Sequence, residues 1–150
     1  MSVRPHHHRV PRARIDPIPD ATTALRLLVA SLHLPRVHET LVLVLDDARC
    51  GVGVISVSGT HQPDQVVEVV ECLAHPELFG GDGAALVVAS SRPDGGLVDG
   101  DVDRWLEMCD LAEAAGLELI EWFVVGSTVR CPRDLVGMPP RWYGDAARPA

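Results

Sequence analysis

Several features that would place this chain of 150 residues in a familiar class are missing from it. It has no lysine, so all thirteen basic residues are arginine, and only 4% of its residues are aromatic. Its apolar runs have about the length of a β-strand, well short of the ~20 residues of a membrane span. The amino terminus has no apolar stretch typical of a signal peptide, the four cysteines form no C-x-x-C pair, and no phosphate loop or dinucleotide fingerprint is present. These absences favour a cytoplasmic protein without a membrane segment, a disulfide framework or a nucleotide cofactor.

The charge of the chain is negative overall and unevenly distributed. Its formal net charge is −8, which argues against a nucleic-acid-binding face across the whole domain. The amino terminus is the exception, and its basic and titratable side chains are those of Arg4, His6, His7, His8, Arg9, Arg12 and Arg14. We predict a basic tail at residues 1–19, one domain at residues 20–137 and a C-terminal tail at residues 138–150. Nucleic-acid binding is expected only through the basic tail, if at all.

Hydrophobic periodicity and turn residues predict the order of the secondary-structure elements. Hydrophobic residues make up 47% of the chain, enough for one packed core. Asp20 is a good N-cap for the first helix, and Leu34-Pro35 ends it. The predicted elements are a helix at 21–33, strands at 40–45 and 51–57, a helix at 63–74, a strand at 84–89, a helix at 101–115 capped by Asp101, and strands at 117–125 and 128–131. A hairpin followed by strand–helix units predicts an α/β (α+β) fold with a mixed sheet and flanking helices.

The loop between the third predicted strand and the third predicted helix is the most informative segment. Residues 90–103 have the sequence SSRPDGGLVDGDVD. Three other segments accompany it: Glu39 precedes an apolar stretch ending in Leu45-Asp46, the second strand ends in Gly59-Thr60, and residues 116–126 have the sequence GLELIEWFVVG. Together they resemble the JAMM (JAB/MPN) superfamily, and most closely its RadC-like branch. The resemblance covers about residues 21–136 and implies a JAB/MPN-like fold.

The resemblance also implies where the site of an active relative would lie. The family's loop has the spacing H-x-H-x7-S-x2-D, in which two histidines and an aspartate hold zinc and the serine steadies the oxyanion, while a glutamate elsewhere accepts a proton from the zinc-bound water. Here the histidine positions hold Ser90 and Arg92, and the serine position holds Gly100. Asp103 keeps the aspartate position, and Glu39 keeps that of the glutamate. Because arginine cannot bind a metal and catalytic zinc needs three protein ligands, we expect these five residues to be vestigial, zinc to be absent, and Arg92 to pair with Asp103 or Glu39.

Three functions follow as hypotheses. The first is a catalytically inactive JAMM/RadC-like domain, a pseudoenzyme that binds another protein or a second copy of itself, with the groove beside an edge strand as the docking surface. The second is a metal-dependent hydrolase, a JAMM-type peptidase or isopeptidase, with a site rebuilt from Asp103, Glu39 and His61. The third is a DNA-associated RadC-like protein that uses the basic tail.

The acidic loop allows one further interpretation. Asp99, Asp101 and Asp103 alternate along it, and Asp110 follows at the span of a calcium loop, so a hard cation could find oxygen ligands here. The same residues also suit the cap and first turn of a helix, where acids are favourable. We favour the helix interpretation.

Overall fold

The computed structural model describes residues 10–142. Its β-strands are β1 (Glu39–Leu45), β2 (Gly51–Ser58), β3 (Ala85–Ser91), β4 (Glu118–Val125) and β5 (Val129–Arg130). They form one sheet in the order β2-β1-β3-β4-β5, in which β3 and β4 are parallel and the other neighbours are antiparallel. The α-helices are α1 (Ala21–Ser31), α2 (Gln65–Leu73) and α3 (Asp101–Ala114), and 3-10 helices occupy Leu78–Gly81 and Pro132–Val136. The predicted mixed sheet with helices on its faces is therefore confirmed.

The middle strands are buried on both faces. Every residue of β1 and of β3 is buried, and so is every residue of β4 except the first, which explains why these strands are continuous apolar runs rather than alternating ones. Successive side chains point to opposite faces of a strand. On one face, Val42 and Val88 pack with Trp105 of α3; on the other, Leu41 and Leu43 share a cluster with residues of α1. The sheet thus separates two hydrophobic clusters, one under α2 and α3 and one under α1.

The helix starts agree with the sequence in one case and differ in another. Asp20 caps α1 as predicted, since its carboxylate accepts a hydrogen bond of 2.8 Å from the backbone of Thr23. Asp101 is not a cap: Gly100 occupies that position with a φ of 88°, and Asp101 is the first residue of α3. This shift of one residue turns the Asp101 carboxylate inward, where it is buried.

The packed domain extends past both predicted boundaries. Ile18 is buried in the cluster under α1, and its backbone N–H donates to the carbonyl of Arg49. Pro17 forms a bridge with Cys50 at the start of β2. At the other end, Trp142 is buried in the same cluster as Ile18. Residues 12–18 and 138–142, assigned to tails from the sequence, therefore belong to the domain, whereas residues 1–9 and 143–150 lie outside the described part of the chain.

Candidate functional site

The loop that follows β3 is fixed to the end of β4 before it reaches α3. The backbone N–H of Arg92 donates to the carbonyl of Val125 at 2.8 Å. Further along, Gly95 lies so close to Gly126 that a Cβ on Gly126 would overlap the Gly95 carbonyl oxygen. The guanidinium of Arg36 also donates to the Gly126 carbonyl, at 3.2 Å. Gly126 is therefore required as a glycine by close backbone approach, and the loop is held over the end of the sheet.

Arg92 and Asp101 form the centre of a buried ionic network in this loop. Two guanidinium nitrogens of Arg92 donate to the two carboxylate oxygens of Asp101, at 2.7 Å and 3.0 Å. Arg104, one turn further along α3, donates to the same carboxylate at 2.9 Å and to Asp64 at 2.7 Å. The backbone N–H of Val98 adds a fourth donor to Asp101, at 2.7 Å. The side chain of Asp101 is only 1% exposed, those of the two arginines 13% and 15%.

The donors around Asp101 outweigh the cost of burying its charge. Burial alone would raise the pKa of Asp101, but the hydrogen bonds from Arg92 and Val98 and the charge of Arg92, with a further bond from Arg104, lower it below its ordinary value. Burial also disfavours the charged form of Arg104, yet its bonds to Asp64 and Asp101 raise its pKa. Both groups therefore stay charged, and the network is a bidentate ion pair with a second arginine attached.

Arg92 also contacts the polar end of the sheet. Its guanidinium lies 5.6 Å from the ring centroid of Trp122, within the range of a cation–π interaction. The Trp122 indole N–H in turn donates to the hydroxyl of Ser90 at 2.9 Å. Ser90 is thus occupied as an acceptor, and Trp122 links it to the arginine.

The space beside this network is almost filled. A cavity of about 10 Å³ lies there, lined among others by Thr40, Thr60, His61, Ser90 and Arg92. That is room for about one water molecule, and far less than the ~300–1,000 Å³ of a typical ligand pocket. The hydroxyls of Thr40 and Thr60 are 2.9 Å apart and bond to each other across its wall.

Glu39 lies on the opposite face of the sheet from this network. Its neighbour Thr40 faces the cavity, so the alternation of the strand turns Glu39 toward α1. There it accepts hydrogen bonds from the backbone N–H of His33, at 2.9 Å, and contacts the His33 ring nitrogen Nδ1 at 2.5 Å. The structure therefore does not bring Glu39 to Arg92.

Asp103 also points away, so the expected partner of Arg92 was misplaced by two residues. Side chains two residues apart on an α-helix point in directions about 200° apart. Asp101 is accordingly buried and Asp103 exposed. The predicted Arg–carboxylate pair exists, but its acid is Asp101. The ligand set Asp103, Glu39 and His61 is not assembled either, because the first two face solvent and α1. Among residues 10–142 no group of three or more His, Cys, Asp or Glu could hold a metal ion.

The residues that the JAMM resemblance would place at metal positions do not fit zinc. Arg92 has no lone pair to offer, and the hydroxyl of Ser90 already accepts a hydrogen bond from Trp122. Asp103 faces solvent. Gly100, in the serine position, has no side chain, and a Cβ there would lie 3.2 Å from the Arg104 guanidinium in a left-handed backbone conformation. A side chain at position 100 would therefore crowd the guanidinium of Arg104 and strain the backbone.

His38 makes two contacts at the same end of the sheet. The rings of His38 and His61 have centroids 4.5 Å apart, and His38 Nε2 is 3.7 Å from Asp94. The Nδ1 atom of His38 and the hydroxyl of Ser91 are buried without a hydrogen-bond partner in the described structure. His38 was not singled out from the sequence, because its position one residue before Glu39 acquires meaning only once the face of the strand is known.

A second buried ion pair was missed by the sequence analysis. Glu121 of β4 is completely buried, and Arg133 donates to it at 2.6 Å. Burial raises the pKa of Glu121 despite this partner. Burial of Cys131 and the neighbouring charge of Glu121 raise the pKa of its thiol to about 12, so Cys131 is a poor nucleophile at neutral pH.

A groove on the α1 side of the sheet shares no lining residue with the ionic network. It has a volume of about 690 Å³ and runs between residues 10–20 and α1. Its acidic side chains are already engaged, since Asp16 accepts hydrogen bonds from Arg12 and Asp20 caps α1. Its size therefore does not identify it as a reaction site.

Comparison with known proteins adds no assignment: no family model matches the chain, and no curated protein is significantly similar to it. In the described range, no helix is long and apolar enough to cross a membrane.

Proposed function

We propose that the chain is a catalytically inactive domain of JAMM/RadC-like type that acts by binding protein, and that it works in the cytoplasm. The observation that carries the proposal is the Arg92–Asp101–Arg104 network at the loop where an active relative would hold its metal. A permanently charged guanidinium is bonded to both oxygens of the loop's buried carboxylate. This arrangement neutralises the acid internally, and it generates no activated water.

Three further observations support the proposal. The cavity beside Arg92 holds about one water, so a peptide bond and a nucleophile could not enter it together. The order of strands and helices is the one that the RadC resemblance implies, from α1 through the β1–β2 hairpin to β4. The four free cysteines, Cys50, Cys72, Cys109 and Cys131, suit a reducing compartment.

The nucleic-acid hypothesis receives less support from the described part of the basic segment. Arg12 forms an ion pair with Asp16, and Arg14 forms one with Asp82. These two arginines are therefore engaged with the domain rather than presented as a free pair. The remaining basic residues of the tail, Arg4 to Arg9, lie outside the described residues.

The test is the metal content of the purified chain, combined with an assay of isopeptide and peptide hydrolysis. Residues 1–9 should be removed first, because His6, His7 and His8 would collect metal by themselves, while Arg12 to Ile18 must stay because they contact the domain. We expect less than about a tenth of an equivalent of transition metal, and no hydrolysis. Close to one equivalent, lost on Asp101→Asn and accompanied by hydrolysis, would overturn the proposal.

A further inference from the structure

The groove between residues 10–20 and α1 takes no part in the proposed function. Its volume of about 690 Å³ lies within the ~300–1,000 Å³ of typical ligand pockets. On the helix side, Thr23, Leu27 and Ala30 line it. Because residues three and four positions apart lie on the same face of an α-helix, these side chains form one stripe, and the groove runs along the helix axis.

The opposite wall is largely apolar and offers few hydrogen-bond donors. Pro11, Pro17 and Pro19 line it, and proline has no backbone N–H. Several other residues of this segment already donate their backbone N–H within the protein, namely Arg12, Arg14, Ile15, Asp16 and Ile18. A molecule lying against this wall therefore meets apolar surface rather than a row of donors.

Most polar side chains in the groove are satisfied within the protein. The Thr23 hydroxyl donates to Asp20 at 2.7 Å, and the Ser31 hydroxyl donates to a carbonyl of its own helix at 2.9 Å. Asp16 is paired with Arg12 at 2.9 Å. The charge of Asp16 is thus balanced by an arginine, and that of Asp20 lies against the positive end of the α1 dipole.

Arg26 is the exception among these polar side chains. It lines the groove one helical turn from Thr23 and from Ala30, its side chain is exposed, and it forms no hydrogen bond or ion pair with another residue of the described range. A guanidinium presents its N–H donors in a fork that matches the two oxygens of a carboxylate. The groove therefore combines apolar walls with one available cation.

We propose that this groove binds a free fatty acid, whose acyl chain lies along the stripe of α1 and whose carboxylate pairs with Arg26. An acyl chain suits the walls because it removes apolar surface from water and carries no polar group along its length. A peptide suits them less, since its backbone would bring an N–H and a C=O at each residue to walls that have few partners for them. This inference is independent of the proposed function.

The test is isothermal titration calorimetry of the full-length chain with sodium decanoate, with decylammonium chloride as the charge-reversed probe. We expect one saturable site for decanoate, with a dissociation constant of about 0.1 mM or lower, and no such site for decylammonium. The comparison is stringent because a net charge of −8 favours the cation wherever binding is nonspecific. From octanoate to dodecanoate, each added CH₂ should tighten binding about fourfold, because the chain becomes buried.

Two variants assign the binding to the groove. Arg26→Gln should weaken decanoate binding about tenfold, and Ala30→Trp, at an exposed position, should fill the groove and remove binding. Arg130→Gln is the matched control, because Arg130 is also an exposed arginine without an ion pair in the described range. It lies on β5, at an edge of the sheet, and its replacement should leave the affinity unchanged. Urea unfolding checks that each variant is folded.

Several outcomes would overturn the proposal. They include no saturable binding of decanoate up to about 5 mM, and an unchanged affinity in Arg26→Gln or Ala30→Trp. Binding that appears only after removal of residues 1–9 would assign the groove to the chain's own amino terminus instead. Binding to phosphatidylglycerol vesicles without binding of decanoate would assign it to a membrane surface. Metal content and hydrolysis test the proposed function, and neither measurement depends on this groove.

Discussion

Two buried arginine–carboxylate pairs lie in this small domain, and they differ in how well the acid is satisfied. The Asp101 carboxylate accepts four hydrogen bonds: two from Arg92, one to each oxygen, one from the backbone N–H of Val98 and one from Arg104. Glu121 receives a single guanidinium bond from Arg133 and one from the backbone of Trp122. The pKa of Asp101 is lowered, and that of Glu121 is raised.

The difference shows that an opposite charge alone does not decide the state of a buried acid. Desolvation is the largest single influence on both carboxylates, and only the number and geometry of the donors distinguish them. The pair with many donors lies in the loop between β3 and α3 and fixes that loop to the start of the helix. The pair with few donors joins β4 to the C-terminal segment and fastens that edge of the sheet.

The largest expected effect comes from removing the single strong partner of Glu121. Arg133→Leu leaves a fully buried carboxylate with no charged partner, only the backbone N–H of Trp122 and the thiol of Cys131, and breaking a buried pair in this way costs about 3–5 kcal/mol of unfolding free energy. The measurement is urea unfolding at neutral pH. Arg130→Leu serves as the control, because Arg130 is exposed on β5 and its loss should cost less than about 0.5 kcal/mol. Equal losses for the two variants would contradict the assigned role of Arg133.

A smaller effect is expected where the acid of the well-satisfied pair is neutralised. Asp101→Asn keeps the shape and one acceptor for Val98 but leaves Arg92 and Arg104 without a carboxylate, at a cost of about 2–3 kcal/mol. Asp103→Asn, two residues away on the exposed side of α3, should change the unfolding free energy by less than about 0.5 kcal/mol. The same unfolding experiment compares them. If Asp103→Asn were the more damaging, Asp101 would not be the acid that holds the two arginines.

The contrast also explains what could be predicted from the sequence. The element order, the β1–β2 hairpin and the Asp20 cap follow from local patterns, because apolar runs, turn residues and capping side chains act within a few residues. The prediction that Arg92 pairs with a carboxylate named the right type of partner but the wrong residues, Asp103 or Glu39 instead of Asp101. Its partner could not be identified, since Asp101 and Asp103 have the same chemistry and only the inward face of α3 distinguishes them.

Other features depend on tertiary structure from the outset. Neighbouring residues along a strand point to opposite faces of the sheet. Without the pairing of β1, the sequence could therefore not show which of His38 and Glu39 is a site residue. Glu121 and Arg133 meet only because the turn after β4 brings the chain back. Ile18 and Trp142 lie in segments without hydrophobic periodicity. Their burial follows only from their packing into the hydrophobic cluster under α1.

The smallest expected effect, and the one that compares the two acids most directly, is the opposite dependence of stability on acidity. Because the folded pKa of Asp101 lies below its ordinary value of 3.8, its charge stabilises the fold above that pH, and this contribution is lost as the pH falls below 3.8. Because the folded pKa of Glu121 lies above its ordinary value of 4.5, the fold binds the proton more tightly than the unfolded chain, and stability decreases as the pH rises above 4.5. Each slope is at most about 1.4 kcal/mol per pH unit.

Urea unfolding over a series of pH values, in the wild type and in two variants, separates these contributions. Asp101→Asn should remove the loss on the acid side of 3.8 and leave the dependence above 4.5 intact. Glu121→Gln should do the reverse, flattening the curve above 4.5 while the acid-side loss remains. If both variants changed the same limb of the curve, or if Glu121→Gln steepened the decrease with rising pH, the two acids would not differ in the way that their donors imply. Opposite changes would show that donors lower the pKa of Asp101, while burial raises that of Glu121.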